Sequence, residues 1–195
     1  MQDEKDLEIA RLNKRIVKLS SLLEINIMMT VIPDIKQLLG FIIQSSKNIL
    51  EAEAASIILI DEAKGTLFFE AAAGEKAEKV KELQFPVDKG FAGWSAKEGK
   101  SVLTNDASAD PRFYSEIDKQ IGFQTRSVVC VPLSIHFNAV TMEPKIIGAI
   151  EVINRLENKE FTGEDTMLLT ILANQSAIAI ENAMCLNKLS QKPKI

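Results

Sequence analysis

Cysteine and histidine are scarce in this chain: two cysteines and one histidine among 195 residues. Cys130 and Cys185 form no C-x-x-C pair, which removes the spacing used by zinc sites and thioredoxin-type redox centres. Cys130 lies inside the apolar run Val128-Val129-Cys130-Val131, and Cys185 lies on a C-terminal helical pattern. Both read as packing residues, since a buried thiol behaves as a small, inert hydrophobe. His136 has no evident serine or carboxylate partner, so no nucleophile–histidine–acid set can be assembled around it. No P-loop or metal-hydrolase motif is present. The expectation is a non-enzyme with no metal and no resident cofactor.

Basic charge is also lacking. Lys and Arg number 23 against 27 Asp and Glu, a net charge of −4, whereas nucleic-acid binders carry a basic face. Nor is there an apolar stretch near the roughly 20 residues that a membrane span needs. The longest runs, residues 128–131 and 146–150, have strand length. The start is acidic and polar with no apolar signal region. These features predict a cytoplasmic chain with neither nucleic acid nor membrane as partner.

What is present is ordinary globular material, 46% hydrophobic and 26% charged, long enough for one domain plus an extra element. Residues 3–29 read as a helix. Ile9, Leu12, Ile16, Leu19 and Leu23 recur at alternating spacings of three and four, the 3.5-residue period of a left-handed coiled coil. Such a stripe either folds back on its own domain or pairs with a second copy; the sustained heptads favour a homodimer seam, with Asn26 at a d position. Pro33 is expected to open a second helix to about Leu50, with Leu38, Leu39, Ile42, Ile43 and Ile49 on its buried face. Strands follow at 55–60 and 66–73, joined by a glycine-containing loop, and a third at 81–87. Residues 90–99 read as a short helix ended by glycine, and 101–104 as a short strand. The polar stretch 105–122, with one helical turn after Pro111, reads as a lid. The most apolar strands, 127–135 and 145–153, take the centre of the sheet. Thr162 and Asp165 have capping-box spacing and start a last helix to about Leu189, with an apolar stripe through Leu168, Ile171, Leu172, Ile178, Ala179, Asn182, Cys185, Leu186 and Leu189. Pro193 marks the limit of helix.

This order predicts an α+β fold: a central antiparallel sheet of about six strands with helices on both sides and long amphipathic helices at both ends. The expected organisation is a dimerisation helix at 1–31, a domain at 32–190 and a tail at 191–195.

Residues 90–133 contain G-F-A-G-W, L-T-N-D, D-P-R-F-Y and G-F-Q-T-R-S-V-V-C-V-P-L in that order. This closely resembles GAF domains, in particular those of cyclic-nucleotide phosphodiesterases and adenylyl cyclases. Asn154 and Arg155, then Phe161 and Asp165, are similar to the family's N-K-F-D-E signature, with arginine for lysine and Thr166 for the last glutamate. The resemblance implies a GAF/profilin-like fold, no cyclase or phosphodiesterase chemistry in this segment, and a structural ion pair between Arg155 and Asp165. Relatives that reduce methionine sulfoxide or hold tetrapyrroles use pocket cysteines or histidines that Cys130, Cys185 and His136 do not match.

The resemblance also implies a ligand pocket under the lid. Ser56 and Glu151 match positions beside the base of a cyclic nucleotide. Ala92 matches a position that approaches by backbone, and Tyr114, Asp118 and Thr125 match lid positions that contact sugar or phosphate or close the lid. Where a cyclic-GMP-binding relative has aspartate and threonine, this chain has Ala73 and Ile121. A guanine donor left unpaired there costs about 1–3 kcal/mol, roughly 5- to 150-fold in affinity, which favours cAMP over cGMP. Two readings stay open: a ligand-gated sensor that signals to a downstream effector through a dimer stalk, and a docking module whose pocket Phe113 and Tyr114 merely plug. Asp110-Pro111-Arg112 is expected to cap a turn and Arg126 to face solvent.

Overall fold

The computed structural model describes residues 2–135 and 144–190; His136 and Pro193 lie outside them, as do the side chains of Cys185, Leu186 and Leu189. Helix α1 (Gln2–Val31) leads into α2 (Ile35–Ile49), then β1 (Ala52–Asp61), β2 (Thr66–Ala73), α3 (Ala77–Val80), β3 (Gln84–Pro86), α4 (Gly90–Glu98), β4 (Val102–Thr104), α5 (Ser115–Ile121), β5 (Val128–Ile135), β6 (Lys145–Arg155) and α6 (Gly163–Ser190). The strands form one six-stranded sheet in the order β3-β2-β1-β6-β5-β4, and every neighbouring pair is antiparallel. The expected α+β architecture is present.

Two hydrophobic clusters flank the sheet. On one face Leu38, Ile42 and Ile43 of α2 and Leu168, Leu169 and Leu172 of α6 pack on Ile57, Val129, Val131, Ile150 and Val152. On the other, Phe91 and Ala92 of α4 and Ile121 of α5 pack on Ile58, Val128, Cys130 and Ala149. Alternation along each strand delivers successive side chains to opposite faces, so β1, β5 and β6 are apolar on both.

Several expected boundaries move. Pro33 precedes α2 instead of opening it; Asp34 is the cap, its carboxylate accepting from the Gln37 amide at 2.8 Å, as capping carboxylates do. Residues 81–87 give only the three-residue β3, because a turn at 81–82 follows the short helix α3 before the strand begins. The lid holds a 3₁₀ turn at Ala107–Ala109 and the helix α5 in place of one turn. The buried stripe of α6 runs through Leu168, Leu169, Leu172, Ala173, Ala177 and Ile180, while Ile178 is exposed. Thr162 and Asp165 do form a capping box: the Thr162 amide donates to Asp165 at 2.9 Å, and the Asp165 amide donates back to the Thr162 hydroxyl at 3.4 Å.

Helix α1 has two differently treated faces. Leu22 and Met29 are buried in the first cluster, and Arg15 pairs with Glu164 at 3.0 Å, so this face lies along α6. The heptad residues Ile9, Leu12, Ile16, Leu19 and Leu23 are between 45% and 65% exposed. Asn26 sits between the two faces, half-buried, with its side-chain oxygen enclosed and unpartnered among the described residues.

Glycine at 148 is imposed by β1. A Cβ there would stand 2.0 Å from the Ile58 carbonyl oxygen. A Cβ at Gly93 would likewise meet the Val87 carbonyl oxygen at 2.6 Å, which explains the second glycine of G-F-A-G-W. Gly40, in exposed α2 surface, has open space around its missing Cβ. Urea unfolding is therefore expected to show Gly148→Ala destabilised by about 1–3 kcal/mol through overpacking. Gly40→Ala is expected to gain up to about 1 kcal/mol of helix propensity. Equal effects at the two sites would contradict this packing.

Candidate functional site

The second hydrophobic cluster is incompletely filled. Between α4, α5 and the sheet lies a small cavity of about 80 Å³. Its walls are mostly apolar and aromatic, with Phe69, Phe85, Phe91, Phe113, Tyr114 and Phe123. All six residues that the resemblance marked for a ligand line it: Ser56, Ala92, Tyr114, Asp118, Thr125 and Glu151. Ala73 and Ile121, the two departures, line it as well.

The floor is one row across the sheet. Ser56 on β1 stands opposite Glu151 on β6, and Glu151 stands opposite Cys130 on β5. Neighbouring positions Ile57, Ile150 and Val129 point to the other core. Ser56 is 4% exposed, and its hydroxyl finds no partner among the described residues. Glu151 is half-buried, and the surface it keeps faces the cavity. Burial, and secondarily the charge of Asp118, push its carboxyl from the ordinary 4.5 up to about 7. Cys130 is fully buried, and burial pushes its thiol well up, so it is a packing residue and not an activated nucleophile.

The lid closes on the floor by specific bonds. Asp118 on α5 accepts from the Thr125 amide at 2.7 Å and from its hydroxyl at 2.8 Å, which pins α5 to the segment entering β5. Tyr114 stacks on Phe85 with centroids 6.2 Å apart, and Phe113 stacks on Phe91 at 6.1 Å. The Asp110 carboxylate accepts from the Arg112 amide at 3.0 Å, which makes the expected turn, and from the Arg112 guanidinium at 2.6 Å. That guanidinium lies over the Trp94 ring, 4.6 Å from its centroid, a favourable cation–π placement.

The signature residues lie behind the site and build its frame. Asn154 is buried with a φ of 59°; its side-chain oxygen accepts from the Arg126 amide at 2.7 Å and its amide donates to the Gln124 carbonyl and Glu53, each at 2.8 Å. Arg126 is exposed but paired with Glu53 at 2.6 Å. Arg155 and Asp165 lie 2.6 Å apart, both buried. Burial raises the Asp165 carboxyl, but bonds from Thr162 and Arg155 outweigh it and hold it below the usual range. Sequence reasoning missed Glu51, 3.3 Å from Arg155, and Lys18, 3.6 Å from Asp165. It also missed Asn105, whose side chain clamps the Phe161 backbone at both N–H and carbonyl, at 2.8 and 3.0 Å. The L-T-N-D motif carries that asparagine and was the available signal. Among the described residues no cluster of histidine, cysteine or carboxylate could hold a metal, and no helix is long and apolar enough to cross a membrane.

The raised Glu151 carboxyl has a stability consequence. The folded protein holds this proton to about pH 7 while the unfolded chain releases it near 4.5. Stability from this group is therefore full below pH 4.5 and declines as pH rises to about 7, by about 3 kcal/mol. Urea unfolding is expected to find Glu151→Gln more stable than the parent at pH 8 and about equal at pH 4.5; a constant difference between them would refute the assignment.

The model of the GAF domain family (GAF_2) matches residues 33–181. A probable 3',5'-cyclic phosphodiesterase, pde-5, of Caenorhabditis elegans is 25% identical over 153 residues, 74% of this chain and 20% of that protein. A dual 3',5'-cyclic-AMP and -GMP phosphodiesterase 11A of Takifugu rubripes is 34% identical over 143 residues, 69% of this chain and 15% of that protein. The chain thus spans a fifth or less of these two relatives. Among solved structures, the GAF domain of a phosphoenolpyruvate-protein phosphotransferase from Coxiella burnetii superposes with a TM-score of 0.75 at 19% identity, over 88% of this chain and 96% of that one. Residues 122 to 287 of a methyl-accepting chemotaxis protein give 0.69 at 22% identity, over 83% of this chain and 98% of that one; at these identities the likeness concerns the fold alone. With a family model matched across most of its length, and the signature residues assembled as described, the chain belongs to the GAF domain family.

Proposed function

We propose that this domain is a non-catalytic sensor for a small molecule, with a cyclic nucleotide, cAMP ahead of cGMP, as its ligand. One observation carries the reading: the six residues marked by the resemblance converge on a single apolar cavity whose floor includes a buried hydroxyl, that of Ser56, without a partner among the described residues. Similarity to phosphodiesterases named for 3',5'-cyclic nucleotides supports the ligand class. Ala73 in the wall supplies no acceptor for a guanine edge, which supports the order of preference. The cavity is small for a nucleotide, so in this reading its walls, Phe113 and Tyr114 of the lid among them, move apart to admit one. The same stacked aromatics favour a second reading, a plugged pocket in a docking module.

Thermal unfolding with cAMP, cGMP and a panel of small metabolites separates the two. A ligand at a hundred times its dissociation constant adds about 2.7 kcal/mol, a rise of roughly 5–10 °C for a domain of this size. The expected result is a rise with cAMP that exceeds that with cGMP and shrinks in Asp118→Ala, where the lid loses its anchor on Thr125. No rise with any compound favours the docking module.

The exposed heptad face of α1 supports a homodimer in which this helix pairs with a second copy. Ile9, Leu12, Ile16, Leu19 and Leu23 form an apolar stripe pointing away from their own domain, and long exposed stripes of this kind mark interaction faces. Ligand-induced change in the lid would reach a downstream effector through α6 and this stalk. Sedimentation is expected to find a dimer that Leu12→Lys with Leu19→Lys converts to a monomer; a dimer that survives both substitutions places the interface elsewhere.

A further inference from the structure

Two polar side chains on the cavity floor have hydrogen-bonding capacity that the fold does not use. Ser56 and Glu151 are direct cross-strand partners on the face shared with Ile58 and Ala149. The Ser56 hydroxyl is enclosed and without a partner among the described residues, and the forces on the Glu151 carboxyl are burial and the charge of Asp118, with no hydrogen bond among them. Elsewhere around the cavity the charged groups are engaged: Asp118 by Thr125 and Lys76 by Glu75 at 2.6 Å. Buried polar groups are normally satisfied, and leaving them unpaired costs stability. Two such groups side by side on adjacent strands point to a ligand's polar edge as the missing partner.

We propose that, with Ser56 and Glu151 beside the base as the resemblance implies, the protonation state of Glu151 decides which purine edge the cavity accepts. As a neutral acid, Glu151 presents one donor and one acceptor, the complement of adenine's amino group and adjacent ring nitrogen. As a carboxylate it presents acceptors only, the complement of guanine's ring N–H and amino group. The inference rests on the cyclic-nucleotide reading above and adds its selectivity.

The surroundings make both forms of Glu151 accessible near neutral pH. The titratable or charged groups facing it are Asp118 from α5, Cys130 from β5, Tyr114 from the lid, and Lys76 beside α3 at the wall. Asp118 opposes a second negative charge on the floor. Cys130 stays a neutral thiol, because burial pushes its ionisation well up. Arg112, whose charge reaches Cys130, is bound to Asp110. Burial and Asp118 thus hold the Glu151 carboxyl at about 7, and the preference for adenine set by Ala73 narrows as pH rises through that value.

Calorimetric titration with cAMP and with cGMP at about pH 6 and pH 8 tests this. In the unmodified protein the ratio of cAMP to cGMP affinity is expected to fall on the order of tenfold between the two, the size of one buried hydrogen bond gained or lost. In Glu151→Gln, whose amide keeps one donor and one acceptor at both pH values, the ratio is expected to stay at its low-pH value. A ratio in the unmodified protein that does not change with pH overturns the selectivity and leaves the cyclic-nucleotide reading standing. A Gln variant whose ratio drifts as the parent's does assigns the titration to another group and also overturns it. Failure of both nucleotides to bind at either pH overturns the reading itself, and the selectivity with it.

Discussion

The buried pair of Arg155 and Asp165 is the interaction on which the rest of the molecule depends. It joins the end of β6 to the start of α6 with charges 2.6 Å apart. Removing one member of such a pair strands the other charge, at about 3–5 kcal/mol. Each partner also has a second task. Asp165 completes the capping box with Thr162 and draws Lys18 of α1 to 3.6 Å. Arg155 reaches Glu51 at the entrance to β1 and lies over the Phe161 ring. One ion pair therefore sets the start of α6, the seating of α1 and the edge of the central strand pair. Replacing the family's lysine by Arg155 suits this, because a guanidinium can serve two carboxylates at once with fixed geometry.

Asn154, one residue earlier, performs the matching task for the site. Its positive φ turns the chain, and its side chain bonds the backbone of Gln124, Arg126 and Ser127. Thr125, in the middle of that clamped segment, holds Asp118 and so the lid. The backbone around Asn154 is thus held by side-chain hydrogen bonds, while the cavity floor beside it leaves the Ser56 hydroxyl without a partner among the described residues. Natural chains satisfy local rules nearly everywhere and break them at functional places.

The fold was largely legible in the sequence because its signals are periodic or local. Apolar runs and the turn residues between them located β1, β2, β5 and β6 to within a few residues, and the Thr162–Asp165 spacing located the start of α6. What was not legible is long-range and polar. No local pattern announces that Lys18 will meet Asp165 or that Asn105 will hold Phe161; those contacts exist only once sheet and helices are assembled. The α3–β3 stretch was misread because Leu83 and Phe85 alternate weakly and residues 77–80 are too short for helical periodicity to show. Ile178 was assigned to the buried stripe of α6 because a long helix with apolar residues on several faces has no unique stripe. The site residues came from motif resemblance, which supplied positions; that Ser56 and Glu151 are cross-strand neighbours with unused bonding capacity required the register of β1 against β6.

The two faces of α1 bear on a choice that periodicity left open. Folding back and pairing with a second copy were alternatives on the sequence, yet the helix commits Leu22 and Met29 to its own domain and leaves the heptad residues outward. The inward face runs alongside α6, from the Arg15–Glu164 pair to the contact of Ser176 with Met29 at 3.7 Å. A shift of α6 relative to the sheet would thus be imposed on α1 through packed side chains, since close-packed interiors transmit displacement and do not absorb it. The outward face would carry that displacement to whatever pairs with it. In the proposed sensor, the physical link between lid and stalk is therefore short: Asp118 to Thr125, the clamped segment to Asn154, Arg155 to Asp165, and Asp165 to Lys18 on α1.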